Sequence, residues 1–154
     1  MRYPLFRASA QLASALFLSL ATTAALGEDF KMVEGVSAYL GVVPAAAIGG
    51  RSSDPVETSM HGGRPSAPSQ YHVMVALFDA NSGQRITDAV VRARVSNAKG
   101  SSLEETLEPM TIANAVTYGN YFAMPEAGSY KVTVHIYRPN LPNVIEAQFE
   151  HKRP

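Results

Sequence analysis

The stretch YHVMVALFDANSGQRITDAVVRARV, residues 71–95, decides the fold of this chain. Its first half places apolar side chains on both faces of an extended segment, which is typical of a central β-strand. One face carries Tyr71, Val73, Val75 and Leu77, and the other carries His72, Met74, Ala76 and Phe78. Residues 81–83, Asn-Ser-Gly, predict a turn. The following strand alternates valine or alanine with Arg92 and Arg94, so its arginine face is predicted to be solvated.

The rest of the chain repeats this pattern of short strands separated by turns. Alternating segments lie at residues 36–43, 103–112, 118–124, 130–137 and 144–152, and none has a sustained helical period. Pro109 is predicted to interrupt the third strand of the 71–112 region, and Tyr130 to anchor the corner that leads into a late strand. The sequence therefore predicts an all-β fold, a single immunoglobulin-like antiparallel β-sandwich of about seven strands.

The N-terminal 29 residues predict export. Arg2 and Arg7 precede the apolar run ALFLSLATTAAL, which small residues and then Glu28-Asp29 follow. These features predict a secretory signal peptide at residues 1–27 and a periplasmic location, although an uncleaved N-terminal anchor helix is an alternative. The remaining chain divides into an N-terminal strand (28–43), a loop rich in Gly, Pro and Ser (44–69), and the rest of the domain (70–154).

Composition excludes several functional classes. Removing residues 1–27 takes away two of 13 basic residues and leaves the 13 acidic ones, so the chain would lack the basic surface that nucleic acid requires. Cysteine is absent, which excludes thiol nucleophiles, zinc-thiolate sites and disulfides. The sequence also has no G-x-S-x-G elbow or other catalytic motif, so we predict that the protein is not an enzyme.

Methionine and histidine are the candidate chemical groups. Thioether and imidazole donors together suit copper, and methionine favours the cuprous ion. His72 and Met74 share one strand face about 7 Å apart, and Met60 and His61 lie in a Gly-Gly loop that could fold over them. The full set of candidates is Met60, His61, His72, Met74, Met110, Met124 and His135.

Several of these residues also have a structural explanation, whereas nothing structural explains a methionine in the Gly/Pro/Ser-rich loop at Met60. Met74 and Met124 are the kind of flexible side chain that fills a core. His135 alternates with Lys131 on an exposed strand face, and His151 lies in the C-terminal tail. The glutamates at 104, 105 and 108 are typical of a solvated hairpin edge.

Two family resemblances add to this. Residues 70–138 resemble the YtkA-like domain, a small exported β-sandwich, through YHVMVALFDANSGQRITDAVVRARV and GNYFAMPEAGSYKVTVHI. More distantly, the chain resembles the periplasmic immunoglobulin-like, copper-binding proteins that accompany iron permeases, in which a Met is followed seven residues later by His-Tyr-Gly. Here Met110 is followed by Thr117-Tyr118-Gly119, so threonine replaces one ligand of the family site. The resemblance implies that His72 and Met110 bind copper, with His61 or His135 in place of the missing ligand.

Two functions follow as expectations. The first is an exported metal-handling accessory protein that binds copper or iron through His72, Met110, His61, Met60 and Met74, without turnover. Its partners would be a metal ion and a membrane transporter or periplasmic protein, with a second copy of the chain as a further candidate. The second is a non-catalytic interaction module in which these residues are structural. Convergence of His72, Met110 and a third donor within about 4–5 Å of a common point would favour the first.

Overall fold

The computed structural model describes residues 29–48 and 68–154. Its elements are β1 (Phe30–Val33), β2 (Val36–Pro44), α1 (Ala45–Ile48), β3 (Gln70–Asp79), β4 (Val90–Asn97), β5 (Ser102–Ile112), β6 (Ala115–Ala123), β7 (Gly128–Tyr137) and β8 (Ile145–Arg153). The predicted signal peptide at 1–27 and most of the predicted loop, with Met60 and His61, lie outside the described residues. Within the described ranges, no helix is long and apolar enough to cross a membrane.

All neighbouring strands are antiparallel, in the order β1-β2-β3-β6-β5-β4-β7-β8. β5 joins the two halves of the sheet, because residues 102–107 pair with β4 and residues 108–112 pair with β6. The sheet curves until β1 packs beside β8. The all-β prediction is confirmed, with eight strands instead of about seven, and a nearly closed barrel describes the sheet better than two separate layers.

The predicted strand at 36–43 is confirmed as β2, but β1 precedes it, so the described part of the 28–43 segment forms a hairpin and not one strand. β1 and β2 meet at Glu34 and Gly35, whose φ angles are 45° and 78°. Two successive residues with positive φ form the type of tight turn that suits the right-handed twist of paired strands. The sequence concealed this turn because glutamate rarely takes a positive φ.

The boundary of the predicted 44–69 loop also needs correction. Pro44 is the last residue of β2, where it lies opposite Tyr71, and Ala45–Ile48 form one turn of helix. A single turn has no room for the apolar periodicity by which helices are recognised in sequences.

Pro109 does not interrupt its strand. β5 runs through it, and Pro109 lies opposite Tyr118 of β6. The proline follows Leu107, the last β5 residue opposite β4, so one side of the strand is already an edge there. Proline is tolerated in β-strands at such edges, because it has no N–H to donate to a neighbour.

The core fills the inside of the curved sheet. It is built from the alternate residues of each strand, and Leu77, Val91 and Phe122 are fully buried. Met124 is also fully buried among them, so its interpretation as a core filler is confirmed. The Tyr130 hydroxyl accepts a hydrogen bond from the Glu126 N–H (3.1 Å) and donates one to the Glu126 carbonyl (2.9 Å), which anchors the turn before β7 as predicted.

The two outer faces of the sheet differ in chemistry. The outer face of β4, β5, β7 and β8 is charged, with Glu104 bound to Arg94 (2.7 Å) and Arg92 (3.2 Å). The hydrogen bond from Arg94 holds the pKa of the Glu104 carboxyl below its ordinary value. The outer face of β2, β3 and β6 instead carries aromatic, small and sulfur-containing side chains, and it is here that the candidate site lies.

Candidate metal centre

Three adjacent strands bring His72 and Met110 together. In β3 and β6, His72 lies opposite Tyr121 and Met74 lies opposite Gly119. In β5 and β6, Met110 lies opposite Thr117. Because directly opposite residues of antiparallel strands point to the same face, all of these side chains belong to the outer face of the sheet.

Gly119 is the centre of the cluster. A Cβ atom at this position would lie 2.8 Å from His72 Nε2, 3.0 Å from Met110 Cε and 3.3 Å from Met110 Sδ. The imidazole nitrogen and the thioether sulfur therefore approach each other over a position without a side chain. Any other residue at 119 would occupy the space that the two donors share.

Both donors are buried, with exposed fractions of 4% for His72 and 5% for Met110. Neither belongs to the hydrophobic core cluster, which lies on the opposite face of the same strands. The His72 ring stacks on Tyr121, with ring centroids 4.7 Å apart and an angle of 29° between the planes. This contact orients the imidazole with Nε2 over Gly119.

Met74 lies one strand spacing from this centre. It is opposite Gly119 on β6 and opposite Gly41 on β2, so a glycine flanks it on each side. Its Cε lies 3.5 Å from the position of a Cβ at Gly41, and the side chain is half-buried. The methyl group of Met74 thus packs against Gly41.

The remaining candidates lie elsewhere. His135 is on the charged outer face of β7, with Nε2 3.3 Å from a carboxylate oxygen of Glu146. His151 is on β8, and its Nε2 is buried without a hydrogen-bond partner among the described residues. Its ring lies beside Tyr71, with centroids 6.2 Å apart, and burial lowers its pKa. Neither histidine joins the cluster around Gly119.

The donor set around Gly119 is chemically consistent with copper. It contains the imidazole of His72 and the thioether of Met110 over Gly119, with a second thioether, Met74, two residues from His72 on β3, and this mixture of soft and borderline donors suits copper. Glu108 lies opposite Gly119 on β5 and is exposed, so one carboxylate borders the cluster. Over residues 29–48 and 68–154, no group of three or more His, Asp or Glu side chains is arranged to hold a metal ion.

Sequence reasoning missed three members of this cluster. In the sequence, Gly119 is only the last residue of the Thr117-Tyr118-Gly119 motif, Tyr121 lies within the stretch GNYFAMPEAG, and Glu108 has the pattern of a solvated residue. One signal could have located Gly119. Met110 and Thr117 are seven residues apart because they are opposite each other in a hairpin, and Gly119 is the next residue of β6 on the same face.

Fold and site together define a barrel-like, all-β protein with a Met/His pair on the outer face of its sheet. Within this class, residues 76–150, just under half of the chain, match the family described as Fe2+ transport protein. The predicted resemblance to proteins linked to iron transport is confirmed by this match. The matched range includes Met110 and Gly119. No curated protein matches the chain in sequence.

Solved structures share the fold. A copper-bound variant of FetP from uropathogenic Escherichia coli is 17% identical, with a TM-score of 0.63 over 80% of this chain and 93% of that one. FetP as isolated after recombinant expression in the E. coli periplasm is 18% identical, with a TM-score of 0.63 over 80% of this chain and 91% of that one. The copper-reconstituted P19 protein from Campylobacter jejuni is 14% identical, with a TM-score of 0.62 over 81% of this chain and 92% of that one.

Proposed function

We propose that this protein is an exported, periplasmic metal-handling accessory protein that binds copper through His72 and Met110 and passes it on without chemical turnover. The observation that carries the proposal is the approach of His72 Nε2 and Met110 Sδ over Gly119. His72 on β3 and Met110 on β5 flank β6 on either side, and both are buried on the outer face of the sheet, outside the hydrophobic core cluster.

The comparisons support the same function. The family description refers to Fe2+ transport, and FetP and P19 are copper-bound in their solved structures. Iron is a second candidate cargo because of the family description, but the thioether sulfur of Met110 suits copper better. Met60 and His61 remain candidate ligands from the predicted loop. The receiving partner would be a membrane transporter or another periplasmic protein, and a second copy of the chain is a further candidate.

The mechanism that we propose is ligand exchange. The ion is held by neutral side chains that a partner's donors can replace one at a time, so no covalent step and no catalytic base are needed. Stacking on Tyr121 keeps the imidazole of His72 in position before the ion arrives, which reduces the ordering cost of binding.

The test uses the full chain, exported and purified from the periplasm, and intact mass would show whether residues 1–27 are removed. Copper binding would be measured in competition with a chelator for the parent, His72→Gln and Met110→Leu. Matched controls are His135→Gln and Met32→Leu, because His135 is bound to Glu146 and Met32 is 65% exposed on β1. We expect one tight site that only the first pair of variants weakens. Equal binding by all five proteins would refute the site assignment.

A second candidate function, a non-catalytic interaction module, is favoured by one observation. An open, largely apolar groove of about 470 Å³ lies on the same outer face, lined by Tyr39, Ala76, Phe78 and neighbouring residues. Tyr39 is 48% exposed, and such patches mark binding sites on soluble proteins. If this function holds, Tyr39→Ser would abolish capture of a periplasmic or membrane partner, while His72→Gln would leave it unchanged.

A further inference from the structure

Met74 occupies an unusual position in the sheet. Gly41, Met74 and Gly119 form a row across β2, β3 and β6, with each glycine directly opposite the methionine. Because neither flanking residue has a side chain, Met74 can contact Gly41 on one side and the donor atoms that lie over Gly119 on the other. Its Cε now lies towards Gly41, 3.5 Å from where a Cβ would be.

The other glycine is the centre of the donor cluster. Neighbouring strands lie about 4.8 Å apart, so Met74 and Gly119 are separated by one such step. Methionine has three rotatable bonds in an unbranched side chain, and rotation about them can carry its sulfur across that distance. In the direction of Gly119 it would meet His72 Nε2 and Met110 Sδ, because these atoms already lie there.

We propose that Met74 is the third ligand of this site and that the site is selective for the cuprous ion, a step that rests on the proposed copper-binding function. Met74 turns from Gly41 to Gly119 when the ion binds, completing a set of one imidazole nitrogen and two thioether sulfurs. These three donors are neutral and mostly soft, a set that suits Cu(I). Cupric and ferrous ions prefer more nitrogen and oxygen ligands than this cluster offers.

Glu108 is the competing donor, because it lies opposite Gly119 on the β5 side. A site built with this carboxylate would bind cupric ion instead. The two arrangements make opposite predictions for Met74→Leu and Glu108→Gln, both of which preserve side-chain size. Met32→Leu, at an exposed position of β1, controls for loss of a methionine as such.

The first experiment measures Cu(I) affinity anaerobically against a chromogenic chelator, and Cu(II) affinity against a competing amino acid. Changes in groups that merely support metal ligands weaken binding by about 10–100-fold. We therefore expect Met74→Leu to weaken Cu(I) binding by at least about tenfold. Met32→Leu and Glu108→Gln should stay within about twofold of the parent, and the parent should bind Cu(I) far more tightly than Cu(II).

The second experiment observes the ligand directly. With ¹³C-methyl-labelled methionine, Cu(I) should shift the methyl signals of Met74 and Met110, assigned through their leucine variants. The methyl signals of Met32 and Met124 should not move, since one residue is exposed on β1 and the other is in the core. If the Met74 methyl signal stays in place while the Met110 signal shifts, the assignment of Met74 as the third ligand is wrong.

The outcomes separate the two levels of the proposal. If Cu(II) binds as tightly as Cu(I), or if Glu108→Gln removes binding and Met74→Leu does not, cuprous selectivity is wrong while the copper-binding function stands. If the parent binds neither ion above the chelator background, both are wrong. Selective Cu(I) binding that depends on Met74 supports both.

Discussion

Gly119→Ala places one methyl group at the centre of the donor cluster. The new Cβ would lie 2.8 Å from His72 Nε2, whereas ordinary contacts of a Cβ begin at 3.4 Å. The imidazole therefore has to retreat by about 0.6 Å, and the Met110 methyl group, at 3.0 Å, by about 0.4 Å. Both moves take place among buried side chains, and the stack on Tyr121 resists the first of them.

Two opposing energies set the change in stability. Overpacking a closely packed site costs about 1–3 kcal/mol. Alanine in a strand in turn gains about 0.5–1 kcal/mol over glycine, because glycine loses more conformational freedom on folding. Since the displaced atoms are the ends of side chains, we expect a net loss of about 1 kcal/mol, which lowers Tm by about 3–4 °C in a chain of this size. Copper affinity should fall more steeply, by at least about tenfold, because a metal tolerates only a few tenths of an ångström in its ligand distances.

Gly41→Ala is the matched control, because Gly41 and Gly119 flank the same methionine on the same face. A Cβ at Gly41 would lie 3.5 Å from Met74 Cε, an ordinary contact. We expect this variant to keep its copper affinity and to equal or exceed the parent in Tm. Thermal unfolding followed by circular dichroism and chelator competition would measure the two effects. Unchanged copper affinity in Gly119→Ala would refute the reasoning, since the two donors could not then share the space above residue 119.

Four further results are expected. Thr117→His should raise Cu(II) affinity, measured by competition, because residue 117 lies opposite Met110 on the site face and would add an imidazole. Tyr130→Phe should cost about 1–2 kcal/mol in denaturant unfolding, since it removes both hydrogen bonds to Glu126. Met124→Ala should cost about 2–5 kcal/mol by the same assay but leave copper affinity unchanged in the folded protein. Because burial lowers the folded-state pKa of His151, the unfolded chain takes up its proton first as pH falls below about 6.5. Stability should therefore decline from pH 7.5 to 5.5, and His151→Gln should decline less; equal slopes would contradict this.

Local patterns made most of the fold predictable. The alternation in β4 and β7 predicts which residues are buried, and the structure buries Val91 and Val132 accordingly. The failures were at turns and edges. The turn at Glu34-Gly35 has glutamate where asparagine, aspartate or glycine is usual. Pro109 is tolerated within β5 because the pairing of β5 with β4 ends at Leu107. Whether Pro109 fits into β5 depends on which strands pair with β5 at that point, and periodicity in the sequence does not show which strands pair.

The candidate site divides in the same way. The β5–β6 hairpin turns at Ala113 and Asn114, both with positive φ, and this turn alone sets Met110 opposite Thr117. The position of Met110 opposite residue 117 can therefore be predicted from the spacing of the two residues in the sequence. The half that contains His72 and Met74 depends on β3 pairing with the other edge of β6. That pairing joins residues more than forty positions apart, and no local sequence pattern predicts it.

Copper binding is still expected although threonine replaces one ligand of the resembled family, because the site draws its donors from two separate parts of the chain. Threonine at 117 removes an imidazole from the hairpin half, where the Met-to-His spacing of the resembled family would place it. The non-local half supplies His72 and, two residues on, Met74, which faces the same glycine. A thioether on β3 can thus replace a donor lost from β6, and the replacement changes the set from two imidazoles to two sulfurs. Thr117→His combined with Met74→Leu would reverse that change, and its preference should move from Cu(I) towards Cu(II). An unchanged preference in this double variant would mean that neither residue reaches the ion.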